Sequence, residues 1–152
     1  MSMLAVQEHD KRRKVPLKSM EELLSANVRY ALISFVELNG FSRAKLVPIS
    51  VLGSVMEQGA GFAGFAAGDI GQGPHDPDLI AMPDPASMLP IPWKEDVCWF
   101  ASDLYVEGQP WPFCPRTVAK RVLQMVREKG YRFMVGMEPE FFLLKKGEDG
   151  RL

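Results

Sequence analysis

The sequence predicts an α+β fold, a small mixed sheet with short helices that runs into a longer helix and further strands. Three observations predict it. Strand-favouring runs flank an Asn39-Gly40 turn signal. A proline-dense segment, Gln109-Pro110-Trp111-Pro112-Phe113-Cys114-Pro115, can continue neither a helix nor a central strand. Beyond it the apolar spacing changes to that of a helix and then returns to strand.

Residues 1–18 read as a flexible tail. Its basic run, Lys11-Arg12-Arg13-Lys14, is either solvated or a contact for nucleic acid or membrane. Ser19-x-x-Glu22 is a capping box, with hydroxyl and carboxylate satisfying free backbone donors, and it opens a short helix over 19–27. Tyr30, Leu32, Ile33, Phe35 and Val36 make 28–38 a strand, and 41–47 is its return partner. Pro48 ends the hairpin. Residues 49–58 have the spacing of an amphipathic helix, with Val51, Leu52, Val55 and Met56 on one side and Gly59 as its stop. The Gly-, Ala- and Pro-rich 59–77 reads as a loop, and loops of that length inside a domain are usually functional. Within it, His75, Asp76 and Asp78 are either turn formers or a small metal cluster.

Short strands at 78–82 and 86–91 are split by Pro83-Asp84-Pro85, and a longer strand over 96–106 is closed by Glu107-Gly108-Gln109-Pro110. Trp93, Trp99 and Trp111 are large enough to dominate the core. The first domain is thus expected over 19–108, a linker over 109–114 and a second part over 115–152. That part starts with a helix over 116–129, with Pro115 at its first position, Val118, Val122, Met125 and Val126 on one face, and Gly130 at its end. Strands are expected over 131–135 and 136–144, then a turn composition from Lys145 to Gly150.

The chain's 152 residues are 47% hydrophobic and 24% charged, a globular balance. A net charge of -1 supplies no field for nucleic acid or an anionic membrane. No apolar run nears the roughly 20 residues that span a bilayer, and no signal-peptide pattern opens the chain. Cys98 and Cys114 make no disulfide framework and read as core thiols. These features together lead us to expect a cytoplasmic protein.

Chemistry concentrates in Gly136-Met137-Glu138-Pro139-Glu140-Phe141-Phe142-Leu143-Leu144. In a strand, Glu138 and Glu140 share a face with Cα atoms roughly 6.6 Å apart. Two neighbouring carboxylates resist joint burial unless a cation joins them, and their oxygens suit a hard ion such as Mg²⁺ or Mn²⁺. The alternative is a strand with one wet face, on which both are surface acids.

This stretch resembles the first metal-binding strand of glutamine synthetases, and Met82-Pro83-Asp84, Pro90-x-Pro92-Trp93 and Pro115-Arg116 follow that family's order and approximate spacing. The resemblance implies a β-grasp-like N-terminal domain over 19–108 and, from 115, the first helix and strands of the catalytic domain. It further implies ATP-dependent phosphorylation of the glutamate γ-carboxylate, displacement of phosphate by an amine, and a homo-oligomer. Glu138 then serves the metal beside the nucleotide phosphates, and Glu140 the one beside the glutamate carboxylate. Further metal ligands, the phosphate-binding arginines and the adenine pocket are expected beyond residue 152, so the chain reads as an N-terminal fragment, inactive alone. The other reading is a stand-alone binding or assembly module without catalysis.

Within the family, the segment 59–66 resembles the γ-glutamylmethylamide synthetase branch. Ordinary glutamine synthetases carry Phe-Asp-Gly-Ser-Ser in this loop, whose aspartate holds and deprotonates ammonium at the neighbouring subunit's active site. Here Phe62 is followed by Ala63, Gly64, Phe65 and Ala66. Ala63, Phe65 and Ala66 are therefore the expected amine-site residues, with a methyl group in place of the carboxylate.

Overall fold

The computed structural model describes residues 27–64, 72–145 and 147. The tail over 1–18, the capping box at Ser19 and Glu22, and Phe65 and Ala66 lie outside the described residues. The chain divides into two units, residues 1–121 and 122–152.

The first unit is built on one mixed sheet of seven strands. Strands β1 (Tyr30–Val36) and β2 (Ser42–Pro48) form the expected antiparallel hairpin. Its connection is longer than a two-residue turn. Gly40 N–H donates to Glu37 O at 2.9 Å, Glu37 N–H donates to Phe41 O at 3.0 Å, and Gly40 has φ +86°. These are the marks of a three-residue loop ending in a glycine bulge. Glu37, 1% exposed, closes it with its carboxylate: Oε2 accepts from Asn39 N–H (3.3 Å) and Nδ2 (3.2 Å), and Oε1 from Phe41 N–H (3.2 Å).

A 3₁₀ turn (Ile49–Val51) leads into helix α1 (Leu52–Gln58), which buries Leu52. Ala60–Phe62, placed in the loop by composition, is strand β3, paired antiparallel with β4 (Leu79–Pro83). Glycine and alanine disguise it, since they lack the bulk that marks a strand in sequence.

The long strand β6 (Val97–Val106) is the hub. Its first half runs parallel to β1 and antiparallel to the short β5 (Leu89–Pro90), and its second half runs antiparallel to β4 and to β7 (Gln109–Pro110). Between β4 and β5 the chain leaves the ladder through a 3₁₀ turn, Pro85–Ser87. There the Ser87 hydroxyl stands in for the missing backbone, accepting from Ala101 N–H at 2.9 Å and donating to Asp84 O at 2.6 Å. β6 and β7 are joined through Glu107 (φ +49°) and Gly108 (φ +74°), the paired left-handed conformations of a type I′ turn.

The alternation of β6 puts Cys98, Phe100, Ser102 and Leu104 on one face, where all are fully buried with Ile33, Phe35 and Leu79. Of the three tryptophans only Trp111 joins this core; Trp93 is 86% exposed, at the turn after β5, and Trp99 lies on the opposite face of β6 from Phe100. Segment 109–114, expected as a linker, holds β7 and buries both Trp111 and Cys114, with Trp111 N–H donating to Leu104 O at 2.8 Å. Its prolines suit an edge, where a missing N–H costs little.

Helix α2 (Pro115–Glu128) matches the expected helix, with Pro115 at its start. In the second unit it ends in a Schellman arrangement. Gly130, φ +79°, donates to Arg127 O at 2.9 Å and Tyr131 N–H donates to Val126 O at 3.1 Å. The strands expected over 131–135 and 136–144 are not formed: residues 131–145 carry neither helix nor strand. A strand exists only where another hydrogen-bonds to it, and among the described residues none pairs with this stretch. Among the described residues no helix is long and apolar enough to cross a membrane.

Candidate functional site

Two of the short motifs found in the sequence meet in space. Arg116, in the first turn of α2, donates through Nη2 to Asp84 Oδ2 at 2.6 Å and through Nη1 to Asp103 Oδ1 at 2.8 Å. Lys120, one helical turn on, bonds Asp103 Oδ2 and lies 3.8 Å from Asp84. Asp84 follows β4 and caps the 3₁₀ turn through Ala86 N–H at 3.0 Å, and Asp103 sits on β6. The guanidinium thus bridges two adjacent strands, a task suited to its planar fork. The hydrogen bond from Arg116 holds the Asp84 carboxyl below its ordinary value, against the opposing effect of burial. Spacing in sequence shows each motif alone; the sequence separation of 32 between Asp84 and Arg116 hides their contact.

The segment expected to meet the amine begins at Gly59, whose φ is +77° and whose hydrogen faces Ile80 so closely that a Cβ would lie 2.3 Å from Ile80 Cγ2. β3 follows, and Ala63 comes directly after it, half-buried. The strand end is fastened from β2, at the opposite end of the sheet order. Lys45 Nζ donates to Gly61 O and stands 4.8 Å from the centroid of the Phe62 ring, while Phe62 packs edge-on against Phe35 at 4.9 Å. An ammonium over an aromatic face is held by the ring's quadrupole.

Glu138 and Glu140 are both exposed, in the stretch without a strand partner. Nothing there fixes the alternation that would put them on one face. Among the described residues no group of three or more His, Cys, Asp or Glu is placed to hold a metal. The donor chemistry suits a hard cation, but two carboxylates leave most of a six-oxygen shell to other groups. His75, Asp76 and Asp78 are exposed, and Asp76 Oδ2 accepts from Gly73 N–H at 2.6 Å, the local bond of a turn former. A cavity of about 330 Å³ is lined by Ser34, Ser42, Trp99, Pro115 and Arg116, and by none of Ala63, Glu138 and Glu140.

Comparison with known proteins bears on what these residues are. The family described as "Glutamine synthetase, catalytic domain" matches residues 112–151. The chain is 42% identical to a glutamine synthetase of Rhizobium leguminosarum bv. phaseoli over 78% of its own length and 27% of the relative's. It is 36% identical to a glutamate–methylamine ligase of Methyloversatilis universalis, over 88% of its length and 30% of the relative's. In structure it resembles a GmaS/ADP complex, with 42% identity and a TM-score of 0.69 over 72% of this chain and 25% of that one. A glutamine synthase homologue at 22% identity, TM-score 0.58, covering 67% of this chain and 27% of that one, shares the fold. The chain spans between a quarter and a third of the length of these relatives. By sequence and by fold alike, the chain is similar to part of the glutamine synthetase family's proteins.

Proposed function

We propose that the chain is the N-terminal part of a ligase that joins an amine to the γ-carboxylate of glutamate at the expense of ATP. The observation that carries this reading is the acidic stretch 136–144, which lies wholly inside the region matching the family's catalytic domain. In this reading the sheet of the first unit is the family's β-grasp domain, and 115–152 opens the catalytic domain. Glu138 and Glu140 contribute carboxylate oxygens to Mg²⁺ or Mn²⁺, which neutralises the phosphate and carboxylate charges that meet in phosphoryl transfer. The chain's own residues supply only part of that shell. By itself it binds weakly and turns over nothing.

The amine is methylamine or another small alkylamine, delivered to a neighbouring subunit's site beside Ala63, Phe65 and Ala66. Ala63 can neither pair with ammonium nor accept its proton. It offers apolar surface instead, and one methyl group in such a pocket discriminates by ~1 to 3 kcal/mol. Relatives of both kinds, glutamine synthetase and glutamate–methylamine ligase, match the chain, so the loop rather than overall likeness carries the choice of amine.

Two measurements test the reading. The pure 152-residue chain is expected to form no γ-glutamyl amide from glutamate, ATP and either amine; measurable synthesis overturns the assignment as an incomplete site. In an enzyme extended through the reading frame downstream, methylamine is expected to outpace ammonia, and Ala63→Asp to reverse the order. Ammonia as the better substrate of the unmodified enzyme refutes the choice of amine.

A further inference from the structure

The strand that leads into Ala63 is too short to hold itself. β3 has three residues, Ala60, Gly61 and Phe62, and the first two bring little side-chain bulk to a sheet. It lies at one end of the strand order, with β4 as its neighbour on one side. Two side chains from the first hairpin take the place of a second neighbour. Phe35 on β1 meets the Phe62 ring edge-on at 4.9 Å. Lys45 on β2 donates from Nζ to Gly61 O, and its ammonium stands 4.8 Å from the centroid of the Phe62 ring. In the hairpin Lys45 is opposite Ile33, which is fully buried, so it leaves β2 on the core side of the sheet and reaches β3 from there. Among the described residues both of its contacts are to β3, and no carboxylate pairs with it.

We propose that Lys45 is a positioning residue that fixes where Ala63 meets the amine and so helps to set the preference for methylamine over ammonia, a role that rests on reading the loop after β3 as the amine-site loop. Ala63 follows Phe62 directly. A group that holds both the Gly61 carbonyl and the Phe62 ring therefore fixes the start of that loop. The hydrogen bond sets the path of the backbone, and the ammonium over the ring sets the side chain beside it. Apolar contact is sensitive to such placement, since a gap of about 0.5 to 1 Å forfeits a quarter to a half of its attraction. Methylamine has a methyl group with which to feel that gap, and ammonia has none. Loss of Lys45 thus falls on one amine and spares the other.

Two measurements test this. In the 152-residue chain, the ring current of Phe62 is expected to move the Lys45 side-chain protons upfield of those of the other lysines, and Phe62→Leu to abolish the displacement. Ordinary Lys45 shifts overturn the proposal. In the enzyme extended through the reading frame downstream, Lys45→Met is expected to lower the ratio of kcat/KM for methylamine to that for ammonia about tenfold, chiefly through the KM for methylamine. Lys45→Arg, which keeps the charge and a donor, is expected to hold that ratio within about twofold. If Lys45→Met does not fold, Lys45→Gln, which keeps a donor without the charge, is expected to lower it about threefold. A lysine that only stabilises the sheet lowers both amine rates together, and an unchanged ratio in a folded variant refutes the positioning role. Ala63→Asp separates the two readings. If it reverses the preference while the Lys45 variants leave the ratio alone, the amine-site loop stands and Lys45 does not position it; if it leaves the preference untouched, both fall.

Discussion

Replacing Arg116 by Met keeps the length and apolar stem of the side chain and removes the guanidinium that joins Asp84 to Asp103. Both carboxylates are largely buried, with side chains 24% and 19% exposed. Each then loses a charge-assisted hydrogen bond worth about 1.5 to 3 kcal/mol. Lys120 remains beside both and recovers part of that, and Arg116 is itself about one-third exposed, so the expected net loss is ~2 to 3 kcal/mol. For a domain of this size that lowers the melting temperature by about 6 to 12 °C.

The pH dependence adds a second readout. The folded-state pKa of Asp84 lies below its ordinary value of 3.8, chiefly through the hydrogen bond from Arg116. A depressed carboxyl contributes stability that is complete above the unfolded-chain pKa and is lost as the pH falls through the folded one. The gap between wild type and Arg116→Met, followed by thermal melts, should therefore be constant at neutral pH and narrow below about pH 4. Arg116→Lys should restore only a fraction, because a single ammonium cannot span both strands. A variant that melts within about 1 °C of wild type, or a gap that persists undiminished in acid, refutes the bridging role.

Further outcomes follow from other positions in the first unit. Gly59→Ala should destabilise by about 3 kcal/mol or more, since its new Cβ meets Ile80 Cγ2 at 2.3 Å and Met82 Sδ at 2.8 Å; Gly108→Ala, with the same sign of φ but open space, should cost only about 1, and urea unfolding compares them. Among the described residues the buried Ser102 hydroxyl has no hydrogen-bond partner, so Ser102→Ala should be neutral or stabilising by up to about 1 kcal/mol in the same assay. Burial pushes the Cys98 thiol up to about 11, and its labelling by a thiol reagent at neutral pH should be slow in the native protein and fast in denaturant.

Local signals made much of the sheet legible. The hairpin flanking Asn39-Gly40, the strands on either side of Pro83-Asp84-Pro85, the long β6 and the Pro115-initiated helix are all written in short-range pattern. What stayed hidden depends on tertiary context. β3 is composed of Ala60, Gly61 and Phe62, and only its pairing with β4 makes it a strand. Residues 131–145 show the converse, since they favour a strand and no strand among the described residues pairs with them. The carboxylates of the candidate site were visible as a pair in the sequence, but their common face depends on that missing pairing. The Arg116 bridge was visible only as two separate motifs, and the role of Glu37 as the buried clasp of the hairpin loop carried no sequence signal beyond an acid before a turn.

The mixed character of the sheet orders its assembly in time. The β1–β2 hairpin closes over a loop of three residues, and β4 through β7 run as a nearly continuous meander over residues 79–110. Each forms from neighbours in sequence. Their union is the parallel seam in which Tyr30 meets Val97, about 67 residues later in the chain, and closing so long a loop returns nothing until the whole seam is in register. On a ribosome the hairpin therefore waits, with one edge of β1 bare, until residue 101 has emerged. During that interval the exposed edge is open to any other extended strand. Substitutions along Ala31, Ile33, Cys98 and Phe100, which pack at the seam, should slow folding, whereas changes in the hairpin turn should chiefly alter how long the waiting hairpin survives.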